Sequence, residues 1–176
     1  MSSKQALREF QSRLAERLQS ARTSGVAASW LAVQANGMRL LFPLSHAGEI
    51  FPWTDIQPVP YSRDWFLGVA NLRGGLYSIV DLAAFVRDKG TISRTELELG
   101  QSRLIALNPM LETSCALLVD GLYGLRTVES FASSAPPPEG APPFFGHTYS
   151  DMDGVQWQEV NLQALSQYQP FLVIGI

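Results

Sequence analysis

Between Trp30 and Phe42 the apolar residues recur with a period of two, and the run is broken once, by Asn36-Gly37. Leu31, Val33 and Ala35 alternate with Trp30, Ala32 and Gln34 before the break; Met38, Leu40 and Phe42 alternate with Arg39 and Leu41 after it. That period belongs to a strand, and Asn-Gly suits the positive-φ positions of a tight turn. Trp30 to Phe42 is therefore expected to be a β-hairpin, stopped by Pro43.

The rest of the chain is cut equally short. SHAGEIFPW reads as a short turn or helix, and IQPVPY as a brief strand limited by Pro58 and Pro60. RLIALN and SCALLVDGLYGLRTV are strand signals, with Gly121 and Gly124 bending the second at a bulge or barrel corner. GHTYSDMDGVQWQEV reads as a hairpin turning at Asp153-Gly154, NLQALSQY as a short helix capped by Asn161, and PFLVIGI as a final strand. RDKGTISRTELELGQS is polar and reads as a loop between two halves, while the five prolines of SSAPPPEGAPP exclude a regular ladder or helix there and impose an extended surface segment. Many short strands, few helices and frequent Gly/Pro turns point to barrels or a sandwich. Ahead of them, Leu7, Phe10, Leu14 and Leu18 mark one face of an amphipathic helix. That face either packs on its own domain or is offered to a partner's groove.

Composition narrows the function. Hydrophobic residues make up 46% of the 176 and charged residues 16%, enough for a folded core. A net charge of −3 without a Lys/Arg cluster argues against nucleic-acid binding. No apolar run approaches the roughly 18–20 residues of a membrane helix, and the N-terminus is too charged for a signal peptide. A cytoplasmic protein without direct membrane insertion is expected, in keeping with a lone cysteine, Cys115, that reads as a buried, inert thiol. The glycines of GVANLRGG lack the Lys and the spacing of a phosphate loop, and no G-x-S-x-G elbow exists. His147 near Asp151 and Asp153 lacks metal-site spacing and reads as turn chemistry; His46 stands apart from it. Asp81 and Asp120 each follow an apolar run and suit caps or turns; nothing marks them as an acid/base pair. No catalytic residue, metal or cofactor is therefore assigned.

The most patterned stretch is GVANLRGGLYSIVDL, Gly68 to Leu82. It resembles the hallmark segment of the CheW family of chemotaxis coupling proteins, where a Gly-Val-x-Asn-Leu-Arg-Gly turn feeds a strand ending in Val-Asp-Leu. ALLVDGLYGLRTV is similar to the family's second-half strand, and WLAVQANGMRLLFPLSHAGEI to its opening hairpin and acidic residue, here Glu49. RDWFLGVANLRGG with its preceding Trp, the leading helix and VQWQEVNLQAL resemble the variant serving type IV pilus (twitching) systems. The resemblance runs from Ser29 to the C-terminus.

It implies a mainly β fold: two five-stranded OB-like β-barrel subdomains around a shared core, behind an N-terminal amphipathic helix. On this chain, residues 1–24 would be helix and linker and 25–176 the CheW-like domain, with subdomains at about 26–86 and 103–165 and the C-terminal segment packing back. It also implies a non-catalytic adaptor in a two-component system, recruited to inner-membrane receptor arrays. Its partners would be the cytoplasmic tip of a methyl-accepting chemoreceptor and the regulatory domain of a CheA-type histidine kinase. The output would be twitching motility; flagellar chemotaxis or another output, and a β-barrel enzyme or small-ligand protein, are the competing readings. The receptor and kinase surface would take in Ala47, Glu49, Gly68, Asn71, Arg73 and Gly74, with Glu49 and Arg73 as a partly buried ion pair beneath it. Asn71 and Gly74 suit a tight turn, and Leu72, Leu76, Ile79, Val80 and Leu82 are core candidates. Ser78 stands where the family commonly has Pro, so the strand keeps an amide donor there.

Overall fold

The computed structural model describes residues 3–6, 8, 9, 29–88 and 90–176. Residues 3–6, 8 and 9 are helical; Leu7, Phe10, Leu14 and Leu18 lie outside the described residues. β1 (Ser29–Ala35) and β2 (Met38–Pro43) form the expected hairpin, with Ala35 opposite Met38 and with Asn36 and Gly37 at φ of 47° and 83°. There follow β3 (Ala47–Pro52), β4 (Phe66–Leu72), β5 (Gly75–Asp81), helices α1 (Leu82–Arg87) and α2 (Glu96–Gln101), β6 (Arg103–Leu107), β7 (Cys115–Val119) and β8 (Gly121–Thr127). The chain closes with β9 (Phe131–Ala135), β10 (Phe145–Asp151), β11 (Gln156–Val160), α3 (Leu162–Gln167) and α4 (Gln169–Leu172).

The strands make two sheets, one of six in the order β8-β1-β2-β11-β10-β9 and one of five in the order β3-β6-β7-β5-β4. The mainly β, two-sheet architecture is as expected, with six strands rather than five in one sheet. Alternation divides the core into three. From β1, Leu31, Val33 and Ala35 face a central cluster with Phe42, Val80, Ile105, Leu117 and Val119, drawn from both sheets. Trp30 and Ala32 point the other way, into a cluster with Leu41, Phe131, Tyr149 and Trp157 inside the six-stranded sheet. β7 does the same for the five-stranded sheet: Ala116 and Leu118 join Phe51, Leu72, Ile79 and Leu104. A strand buried on both faces reads as an unbroken apolar run, which is what SCALLV is.

Five segments differ from their sequence reading. SSAPPPEGAPP begins inside a ladder, because Ser133, Ser134 and Ala135 precede its prolines and pair with β10 as the end of β9. SHAGEIFPW contains β3, because pairing with β6 sets Phe51 opposite Leu104 and buries Phe51 and Ala47. IQPVPY gives only a bridge between Gln57 and Val69, since its prolines remove ladder donors. The polar loop holds α2, started by a capping box: Thr95 Oγ1 accepts from the Glu98 N–H at 3.1 Å, and the Glu98 carboxylate accepts from the Thr95 N–H at 3.3 Å. PFLVIGI opens with α4 instead of a strand; Pro170 sits in its first turn, where a missing N–H costs nothing, and Phe171 stacks on Trp65 at 6.0 Å. Among the core candidates, Leu72, Ile79, Val80 and Leu82 are buried, but Leu76 is 66% exposed, because it follows the turn on the outer face of β5. The amide kept by Ser78 is used: it donates to the Ser114 carbonyl at 3.0 Å.

Candidate docking surface

β4 and β5 are joined by two residues, Arg73 and Gly74, between the paired Leu72 and Gly75. Both have positive φ, 50° and 83°, as a two-residue hairpin of the primed type requires. Asn71 stays in the strand and closes the turn with its side chain, Oδ1 accepting from the Gly74 N–H at 2.9 Å. The left-handed conformation thus falls on Arg73 rather than Asn71, at a cost of about 1–2 kcal/mol for a residue with a Cβ.

This turn projects Arg73 toward β3, where its Nη1 lies 2.5 Å from Glu49 Oε1. β3 and β4 are the two edges of the five-stranded sheet, so the sheet curls to bring them together. Past β3, the bridge completes the closure: Gln57 N–H donates to the Val69 carbonyl at 2.8 Å and Val69 N–H to the Gln57 carbonyl at 2.9 Å. The ion pair is on the surface and not partly buried, with side chains 77% and 42% exposed. Water screens such a pair, and its direct contribution to stability is about 0–1 kcal/mol.

Of the other residues assigned to this surface, Asn71 and Gly74 are exposed, whereas Ala47 and Gly68 lie beneath it, buried. Gly68 has a constructional role. At φ 138°, a Cβ there would stand 2.1 Å from the Gln57 carbonyl oxygen, so only glycine admits the bridge that closes the sheet. Exposed Ile50 and Leu76 flank the pair along β3 and β5. Charge, an Asn and two exposed apolar side chains thus lie on β3, β5 and the hairpin that joins β4 to β5.

A second constellation was not legible in the sequence. Arg94, from the segment read as a polar loop, donates from Nη1 to Asp81 Oδ2 at 2.7 Å and from Nε to Asp120 Oδ1 at 2.6 Å. Its side chain is 5% exposed, that of Asp81 1% and that of Asp120 23%. Burial opposes the guanidinium's charge, but hydrogen bonds to and attraction by the two carboxylates outweigh it, and its pKa is raised. Asp81 also caps α1, its Oδ1 accepting from the Ala84 N–H at 3.4 Å. The two aspartates meet on one guanidinium, where they serve as its counterions. Two acids at strand ends were visible in the sequence; nothing marked Arg94 over Arg87 as their partner.

The groups that suggested other chemistry are committed elsewhere. Asp151 Oδ1 accepts from the N–H groups of Asp153 and Val155, both at 2.9 Å, and so builds the β10–β11 turn. Among the described residues no three His, Cys, Asp or Glu side chains gather as a metal site would require. Burial pushes the Cys115 thiol up to about 12. His46 Nδ1 accepts from the Leu162 N–H at 3.2 Å, at the start of α3, and burial lowers its pKa. Among the described residues no helix is long and apolar enough to cross a membrane.

A family model for the CheW-like domain matches residues 29–169, which span both sheets and the hairpin rim. The chain belongs to the CheW-like family. It is 29% identical over 153 residues to Protein PilI of Pseudomonas aeruginosa, a match covering 84% of this chain and 82% of PilI. The crystal structure of the scaffolding protein TtCheW from Thermoanaerobacter tengcongensis shares the fold, with a TM-score of 0.62 at 17% identity over 76% of this chain and 88% of TtCheW. The resemblance carried by GVANLRGGLYSIVDL thus extends over most of the molecule.

Proposed function

We propose that this protein is a non-catalytic, cytoplasmic adaptor that couples the tip of a methyl-accepting chemoreceptor to the regulatory domain of a CheA-type histidine kinase. Its place is an array at the inner membrane, and its output is type IV pilus twitching motility. The observation that carries this reading is the CheW-like match over residues 29–169; the similarity to PilI favours the pilus system over flagellar chemotaxis. An adaptor acts through differential contacts with two states of its partner, so it needs a docking surface rather than a nucleophile. The rim of Glu49, Asn71, Arg73 and Gly74 is assigned to that surface, with Ala47 and Gly68 supporting it from below. Residues 25–176 are the adaptor domain, with subdomains at about 26–86 and 103–165, and residues 1–24 carry a helix whose Leu7, Phe10, Leu14 and Leu18 add a partner contact.

The test is a reconstituted assay of receptor tip, kinase and this protein in which phosphoryl transfer is followed. The unsubstituted protein should confer receptor control on the kinase, and Arg73→Ala should weaken partner association while basal kinase chemistry persists. Binding to neither partner would refute the adaptor reading. Deleting residues 1–24 should leave the β domain folded and weaken one interaction; failure of the truncated chain to fold would assign the helix to the core.

A further inference from the structure

The buried ion cluster joins parts of the chain that belong to different sheets. Asp81 ends β5, in the five-stranded sheet. Asp120 lies between β7 of that sheet and β8 of the six-stranded one. Its other oxygen, Oδ2, accepts from the backbone N–H of Asn36, in the β1–β2 turn, and its own N–H donates to the Gln34 carbonyl at 2.7 Å. Arg94 comes from the crossover between the parallel neighbours β5 and β7 and reaches both acids at once. One side chain therefore ties a strand end of the five-stranded sheet to the hairpin turn of the six-stranded sheet.

Stability alone is a poor reason for such a cluster. A buried ion network roughly breaks even against apolar side chains of the same volume, because desolvation offsets attraction. What a guanidinium supplies that apolar packing does not is direction: five donors in a rigid fork fix where each carboxylate stands. We propose that Arg94 is a positioning residue that locks the two sheets in one relative geometry, so that a partner bound on one sheet is felt by a partner bound on the other. The coupling half of this proposal rests on the adaptor reading; the locking half does not.

Asp120→Ala is the informative substitution. It removes the tie to the Asn36 turn and leaves Arg94 and Asp81 as a balanced pair, whereas Arg94→Ala would strand a buried carboxylate. Spin labels at Leu76→Cys and Leu125→Cys, exposed positions on β5 and β8, read the geometry without any partner. The parent protein should give one narrow distance distribution, and the Asp120→Ala form a broadened or second distribution. In the reconstituted assay the same variant should bind receptor tip and kinase domain separately to within about twofold of the parent. Receptor control of the kinase should fall about tenfold or more. Asp120→Asn, which keeps a carbonyl acceptor for the Asn36 N–H, should fall between the two. An unchanged distance distribution overturns the lock. Retained control, or a loss of control matched by lost binding to one partner, overturns the coupling. Unfolding of both Asp120 variants assigns the cluster to stability and overturns the proposal. If the parent protein confers no control, the adaptor reading fails and the distance measurement still decides the lock.

Discussion

Gly68→Ala tests how the five-stranded sheet is closed. Two costs add at this position. An alanine at φ 138° occupies a region that residues with a Cβ avoid, which costs about 1–3 kcal/mol. The new Cβ would also lie 2.1 Å from the Gln57 carbonyl oxygen and 2.7 Å from its carbon. Backbone cannot yield as a flexible side chain does, so the bridge must open. Its two hydrogen bonds, of 2.8 and 2.9 Å, are worth about 0.5–1.5 kcal/mol each. The expected loss is about 2–6 kcal/mol, which lowers the thermal midpoint of a domain this size by about 4–24 °C.

Two further glycines separate the terms. Gly154 has φ 80°, and a Cβ there would meet nothing within 4 Å, so Gly154→Ala carries the conformational cost alone. Gly100 lies in α2 with open space and no positive φ, so Gly100→Ala should be neutral or stabilising by up to about 1 kcal/mol. Urea titrations followed by circular dichroism should rank the variants Gly100→Ala, Gly154→Ala, Gly68→Ala in order of increasing damage. Equal losses for Gly68→Ala and Gly154→Ala would refute the close approach to Gln57.

Arg73→Ala and Glu49→Ala should each cost about 0–1 kcal/mol of stability, as exposed partners do, and a double-mutant cycle on unfolding that gives a coupling above about 2 kcal/mol would contradict the surface placement. His46 gives a pH dependence of known sign. Its folded pKa is lowered, so the unfolded chain binds more protons below about 6.5 and stability falls with pH from there toward the folded value. His46→Gln should remove that part of the slope, and an unchanged slope between neutral and mildly acid pH would exclude the role. Cys115, buried with its thiol pushed up to about 12, should react with a disulfide reagent at mildly alkaline pH only as fast as the protein opens. Equal rates in native and denaturing buffer would show it to be accessible.

The parts of the fold legible in the sequence are those fixed by neighbours in the chain. Asn36-Gly37 and Asp153-Gly154 announce their hairpins because a tight turn is a local event. Asn161 announces α3 for the same reason: its side chain accepts from the Ala164 N–H at 2.9 Å. The capping box at Thr95 and Glu98 is equally local but is masked by the polarity of its surroundings. β3 cannot be found that way. Its burial pattern depends on β6, more than fifty residues on, and on Arg73 arriving from the far edge of the sheet. Leu76 misleads for a related reason: β5 is buried on both faces only at its far end, Ile79 to Asp81, and Leu76 lies near the turn, before the pairing with β7 begins at Ser78.

The candidate site divides along the same line, and the division bears on what this protein does. The hairpin that displays Arg73 is local and visible as a motif. Two other groups are not local: Gly68 under Gln57, which lets the sheet close beside the hairpin, and Arg94 between Asp81 and Asp120, at the far end of β5. For an enzyme, the residues that carry the chemistry can often be named before the fold is known, since a nucleophile and its base have recognisable types. An adaptor has no such residue. Its output is the geometry between two bound partners, and geometry is set by whichever side chains prevent the sheets from moving. In the adaptor proposed above those are a glycine that tolerates a backbone crossing and an arginine with two counterions, the one suited by lacking a side chain and the other by the direction of its hydrogen bonds. Substitutions that spare the docking rim and loosen either support should therefore impair coupling before they impair binding, the reverse of the order expected when contacts alone carry the signal.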